Sequence, residues 1–194
     1  MFFPLFTLAN LMRLRFLTLL MSLLLALLPV QAHAEGFSEA EIKGAYLYNF
    51  AFYIQWPQTA FVEPATSLQY CVFDKGSEIA KALAELFSSE SNTGQQFELN
   101  VVTNLSAIQA CQLLFIDQND TVKSNTVIAA VADSSVLTVS DRKGFAQKWG
   151  MVELRIESGR IRPIINTVRL SAAKLSASSK LLRLVKLIDV DTGN

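Results

Sequence analysis

The sequence predicts an α/β fold, a single domain with a mixed sheet of about six strands covered by four or five helices. Three observations predict it. From residue 68 onward, short apolar runs of strand length alternate with stretches whose apolar residues recur at helical spacing. One run, "CQLLFI" from Cys111 to Ile116, is continuously apolar, as a strand covered on both faces would be. A hairpin signal, Glu157-Ser158-Gly159 between two strand-like runs, adds an antiparallel pair.

The chain begins with a different kind of segment. Arg13 and Arg15 precede a nearly unbroken apolar run, Phe16 to Val30, and then Ala32-His33-Ala34, a small-x-small pattern. This reads as an export signal cut after Ala34. The run is shorter than the roughly twenty residues of a membrane span, which weighs against an uncleaved anchor. The charged flank starts near Met12, so either Met1 or Met12 is the true start. Residues 35–194 then form one domain, long enough to bury about 70 % of its unfolded surface.

Within that domain, Ser38 and Glu41 make an S-x-x-E capping box, and Ile42, Ala45, Tyr46, Asn49, Tyr53 and Trp56 follow at three- and four-residue steps. The spacing predicts a helix from about Glu39 to Trp56, stopped by Pro57. Tyr46, Tyr48, Phe50 and Phe52 also alternate as a strand would, but the segment is long for one. A helix apolar on most sides is usually buried. The aromatic run is therefore expected to fill the core, with Tyr46, Tyr53 and Trp56 as the candidate ligand-stacking rings. Further on, strands are expected at Leu68 to Phe73, Phe97 to Thr103, Cys111 to Ile116, Val136 to Asp141, Met151 to Ile156 and Arg160 to Ile165. Helices are expected at Ser77 to Phe87, Thr121 to Ala132 and Ser179 to Asp189, the last carrying Leu181, Leu184, Val185 and Ile188 on one face.

Several chemistries lack their residues. The only histidine, His33, leaves with the export signal. A Ser-His-Asp or Cys-His nucleophile pair, a histidine zinc site and a histidine pH switch are then excluded from the mature chain. "SAAK", Ser171 to Lys174, matches the S-x-x-K of penicillin-binding proteins, yet neither S-D-N nor K-T-G accompanies it, and a position on a helix surface for Ser171 is the simpler reading. Asp117 and Asp141 fall at strand ends, where α/β proteins often bind ligands, but turn and cap roles suit two isolated acids better. No cofactor and no metal are expected. Cys71 and Cys111, an even count in an exported chain, are read as one disulfide, which would close a loop of roughly forty residues and add about 4 kcal/mol.

Charge is unevenly spread. Without its leader the chain has net charge −2, residues 35–100 carry −6, and residues 155–186 carry +7. The basic C-terminal third is either a solvated face or a surface for an anionic ligand or acidic partner. Nucleic acid is not an expected partner of an exported, slightly acidic chain.

Taken together, "KGAYLYNFAFYIQWP" after an export signal, Cys71 in "YCVF", Cys111 in "CQLLFI", "VLTVSD" with Phe145, "GMVELRIESGRIRPIIN" and "LSASSKLLRLV" resemble the YfiR family across Ile42 to Val185. The sequence departs from the family's G-G-M-I and F-E-I-N patterns: Trp149 stands for the first glycine, and Pro163 and Ile164 for the Phe-Glu. The resemblance implies a non-enzymatic periplasmic repressor that holds inactive the periplasmic sensor domain of an inner-membrane GGDEF diguanylate cyclase, lowering cyclic-di-GMP and biofilm formation. It also implies release by an OmpA-like outer-membrane lipoprotein, a homodimer, and a structural disulfide between cysteines placed like Cys71 and Cys111. The second cysteine pair of some members is missing here. Related domains fused to sensor kinases make a kinase the other possible partner. The candidate contacts are Arg160, Arg162, Ile164, Arg169, Leu170 and Lys174. A periplasmic module sensing a small molecule is the alternative, and a histidine-free hydrolase the distant third.

Overall fold

The computed structural model describes residues 13, 15–19, 21, 36–61, 67–73, 77–89, 96–117 and 121–190, with backbone alone at 121–124. The chain divides into Met1–Gly36 and Phe37–Asn194. In the first unit the described residues before Gly36 are helical, and the cleavage position after Ala34 lies outside the described residues.

The second unit is the α/β fold. Ser38 caps α1 (Glu39–Tyr53): its hydroxyl accepts from the Glu41 N–H, and the Glu41 carboxylate accepts from the Ser38 N–H at 2.6 Å. Those bonds also hold the Glu41 carboxyl below the usual range. The helix stops at Tyr53, three residues short of the expected Trp56. Ile54 and Gln55 turn extended as β1 (Ile54–Gln55) to pair antiparallel with β8 (Ser176–Ala177), and the Tyr53 carbonyl accepts from the Ser178 N–H. This end is set by a partner more than a hundred residues away.

A seven-stranded sheet follows, ordered β3-β2-β4-β5-β6-β7-β9, one strand larger than expected. It comprises β2 (Leu68–Phe73), β3 (Phe97–Val102), β4 (Leu113–Ile116), β5 (Leu137–Ser140), β6 (Val152–Glu157), β7 (Arg160–Asn166) and β9 (Lys186–Ile188). Only β6 and β7 pair antiparallel within it. Alternation divides two cores. Tyr70, Val72, Leu113, Phe115, Leu137 and Val139 join Leu47, Phe50 and Leu83, from α1 and α2 (Glu78–Ser89), in one cluster. Cys71, Phe73, Leu114 and Ile116 point the other way, to Ile108, Val127 of α3 (Thr121–Ala130) and Phe145 of α4 (Phe145–Lys148). A sheet buried on both faces explains why β4 shows no polar alternation.

Two close approaches depend on glycine. A Cβ at Gly44 would lie 3.3 Å from that of Ala82, where α1 crosses α2, and a Cβ at Gly150 would overlap the buried Phe145 ring at 1.9 Å. The hairpin turn uses positive φ at both Ser158 (51°) and Gly159 (73°), as a two-residue type I′ turn requires.

The C-terminal expectation needs correction. Helix α5 (Thr167–Ala172) gives bounds to the helix on whose surface Ser171 was expected, and the helix expected over Ser179 to Asp189 is α6 (Ser179–Leu182) followed by β9, parallel to β7. Only Leu181 of the expected apolar face is buried, while Leu184 is 75 % exposed. Val185 bends in against the first core, and Lys186 to Ile188 extend because β7 offers them a strand to pair with, which outweighs the helical spacing.

Candidate functional site

The outermost part of the β6–β7 hairpin leaves the helical layers. Register places Glu153, Arg155 and Glu157 opposite Ile164, Arg162 and Arg160. These six alternate onto one face of the ribbon. Glu153 is fully buried; its carboxylate accepts from the Arg155 Nε–H at 2.8 Å and from the Ala146 N–H at 3.3 Å. Glu157 lies 3.7 Å from the Arg155 guanidinium and 3.8 Å from that of Arg162. The basic lobe is thus partly neutralised by carboxylates on the neighbouring strand. Arg160 and Arg162 remain exposed, and on the opposite face Ile156 is 46 % exposed.

Ile164 and Leu170, named above as contacts, are core residues, 2 % and 4 % exposed. Ile164 faces the buried Glu153, and Leu170 anchors α5 beneath the sheet, so neither presents a surface. Asn166 positions that helix. Its side-chain oxygen accepts from the Arg169 N–H, while its amide donates to the carbonyls of Ala146 and Val190 at 2.9 and 2.8 Å. Arg169 is half-buried and donates to the Lys148 carbonyl. Lys174 is exposed with φ of 59°, in the position after a helix that usually holds glycine: its N–H reaches the Ser171 carbonyl and the Leu175 N–H reaches that of Leu170. The "SAAK" stretch is therefore a helix end, and Ser171 is exposed.

The three candidate stacking rings do not form a cage. Tyr46 donates to the Ile161 carbonyl, Trp56 donates to that of Gln112, and the Tyr53 ring lies under the Lys180 ammonium. The aromatic cluster consists instead of Tyr48, Phe52, Tyr70, Phe87 and Phe97. Tyr70 is fully buried, donates to the Leu47 carbonyl, and is pushed far above the usual phenol range by burial.

At the carboxyl ends of the strands, Asp117 accepts from Ser77, which also accepts from the Ile79 N–H at the start of α2. Asp141 pairs with the buried Lys43, which also pairs with Glu39. Burial works to lower Lys43, but these two carboxylates prevail and hold it above the usual lysine range. Both aspartates have fold-supporting partners. A cleft of about 560 Å³ lies at the other end of the strands, between Thr59, Gln109, Asp133, Ser134 and Lys174, with Cys111 on its wall. Cys71 and Cys111 are bridged, with Cα atoms 5.9 Å apart, and no group of metal-ligating side chains occurs among the described residues.

Sequence reasoning missed Glu153 and Asn166. An acid in the apolar "GMVEL" was the available signal for the first; the second was marked only by its match, with Ile165, to the family's F-E-I-N pattern.

Against known proteins, the family model described as YfiR/HmsC-like (DUF4154) matches residues 40–186. The chain belongs to this family. Its members are periplasmic regulators of diguanylate cyclase signalling, and among the described residues no helix is long and apolar enough to cross a membrane. No curated protein matches. Two solved structures share 11 % identity with the chain. One is the ABC domain in complex with L-Trp from Streptococcus pneumonia (TM-score 0.47, 66 % of this chain and 57 % of that one). The other is a ligand-free, open substrate-binding protein with adhesive properties from Clostridium difficile (TM-score 0.46, 75 % and 59 %). The family member spans less than two thirds of either.

Proposed function

We propose that this protein is a non-enzymatic periplasmic repressor that binds the periplasmic sensor domain of an inner-membrane diguanylate cyclase and lowers cyclic-di-GMP signalling and biofilm formation. The observation that carries the reading is the family match over residues 40–186. A binder represses by preferring the inactive over the active state of its partner, and a preference of about 2.7 kcal/mol shifts that ratio a hundredfold. The contact surface in this reading is the exposed hairpin, Arg160 and Arg162, with Lys174, just past α5 and beside the cleft at the amino ends of the strands, as a second contact. Ile164 and Leu170 support it from beneath, and Arg169 fixes α5 against Lys148. An OmpA-like lipoprotein that takes the same surface would release the cyclase.

Calorimetric titration of the protein into the periplasmic domain of the membrane-bound cyclase encoded beside it tests the reading. Micromolar binding, weakened tenfold or more by Arg160→Glu with Arg162→Glu, is the expected result. No binding at that concentration would sink direct repression.

The cleft of about 560 Å³ favours a second reading, a small-molecule sensor. In that case a periplasmic metabolite raises Tm, and Lys174→Ala removes the shift.

A further inference from the structure

The turn between α6 and β9 exposes what a folded chain usually hides. Leu184 is 75 % exposed there, with its N–H bonded back to the Leu181 carbonyl, and Leu187 is 43 % exposed in the strand that follows. Leu181 and Val185 turn in to the first core, and their burial fixes the turn with Leu184 left outside.

Three cations stand around it. Lys180, Arg183 and Lys186 are all exposed. Lys180 lies 5.4 Å from the centre of the Tyr53 ring, yet among the described residues none of the three pairs with a carboxylate, and no side-chain hydrogen bond holds them. The nearest acid in sequence, Asp189, accepts from the Thr167 hydroxyl. The turn also sits toward the arginine end of β7, since Lys186 pairs with Ile164, two residues past Arg162.

A basic rim around a protruding leucine is complementary to a surface that is anionic outside and apolar just beneath. A protein partner would have to offer Leu184 a socket and the cations fixed carboxylates. Side chains that nothing holds in one geometry lose more freedom on meeting fixed partners than on meeting mobile ones. Two exposed leucines are also far less than the roughly 800 Å² a side that a stable protein interface buries. Lipid headgroups, by contrast, move to the cations, and acyl chains close around the side chain.

We propose that the α6–β9 turn is a peripheral contact for anionic phospholipid bilayers, with Leu184 in the headgroup–acyl boundary and Lys180, Arg183 and Lys186 on the lipid phosphates. It rests on the bilayer and spans nothing. Each cation near such a surface strengthens partition roughly fivefold, and one shallow leucine is a weak anchor, so the hold is reversible. Neither reading given above is needed for it. What it adds is a local concentration of the exported chain beside membrane-bound partners.

The test is co-sedimentation with lipid vesicles, using protein purified from the periplasm, its mass read first to establish that the leader's own apolar run is gone. Vesicles with one third phosphatidylglycerol should bind it at millimolar lipid, pure phosphatidylcholine vesicles should not, and about 0.5 M salt should release it. Lys180→Gln with Arg183→Gln and Lys186→Gln should weaken binding at least tenfold, and Leu184→Ser at least threefold, with Tm nearly unchanged. Because Cys71 and Cys111 are bridged, an environment-sensitive fluorophore can be attached through Leu184→Cys alone, and it should shift to the blue on the anionic vesicles. The same probe attached through Ser171→Cys, an exposed site on α5, should not. No binding at millimolar lipid, equal binding to both vesicles, indifference to Leu184→Ser, or loss through Arg160→Glu with Arg162→Glu while the turn variants still bind, would each overturn the proposal. So would a Leu184→Ser protein that keeps the vesicles and loses the cyclase domain, which would make the turn a protein contact.

Discussion

The two halves of the sheet are held together in different ways. From β3 to β5 the strands are parallel, and β4 and most of β2 are apolar on both faces, with a polar cluster of Gln69, Glu98 and Asn100 at the β2–β3 edge; stability there comes from burial and one cystine. In the other half, β6 and β7 form an antiparallel ribbon that carries alternating charges, hides a carboxylate and ends in exposed arginines, with β9 parallel to β7 at its side. The first half behaves as scaffold. In the reading proposed above, the second is where a substitution at Arg160 or Arg162 alters recognition without unmaking the fold.

The largest expected effect falls on the scaffold. Cys71→Ser with Cys111→Ser should cost about 4 kcal/mol, read from urea unfolding, by freeing a loop of roughly forty residues in the unfolded chain. In the ribbon, Glu153→Gln should cost about 3 kcal/mol, because it deprives a partly buried guanidinium of its counter-charge. A loss under about 1 kcal/mol would place Glu153 among the dispensable ion pairs. Lys174→Gly should gain about 1 kcal/mol by removing a side chain from left-handed backbone, seen as a higher Tm, while weakening the proposed partner contact. Ser158→Asn should gain about 0.5 kcal/mol at the hairpin turn, where Asn-Gly is favoured.

A pH profile separates the halves again. Lys43 and Tyr70 both hold their protons more tightly when folded, so their stabilisation is complete below about pH 10, the unfolded range, and is lost as pH rises further. Denaturant midpoints between pH 8 and 11 should fall at the alkaline end. Lys43→Met should flatten part of that fall, and Arg162→Ala should leave it unchanged.

Legibility followed local agreement and not this division. The runs at 68–73, 97–102 and 113–116, the helix after Ser77 and the Gly159 turn were all readable because local pattern and tertiary environment agree there. The end of α1 and the whole of β9 were not. Tyr53 to Gln55 and Lys186 to Ile188 become extended because distant strands offer hydrogen bonds, a fact that no window of neighbouring residues contains. Ile164 and Leu170 looked like parts of a basic surface because they sit among arginines in the sequence, and strand alternation and helix phase turn both inward. The disulfide was legible from count and compartment, the buried carboxylate of Glu153 only as an oddity in an apolar run.

The two sulfur-bearing residues, each about 2 % accessible, bind β2 to the chain entering β4 deep inside the second core. Once the sheet has closed, both are nearly inaccessible, and Cys111 alone borders the cleft at the amino ends of the strands. The crosslink is therefore expected to form on a still-loose polypeptide and to exchange only slowly afterwards, so that it records the history of the molecule more than the redox state around it. Cells short of a thiol-oxidising catalyst should accumulate this regulator in a reduced, protease-sensitive form, however oxidising the medium becomes later.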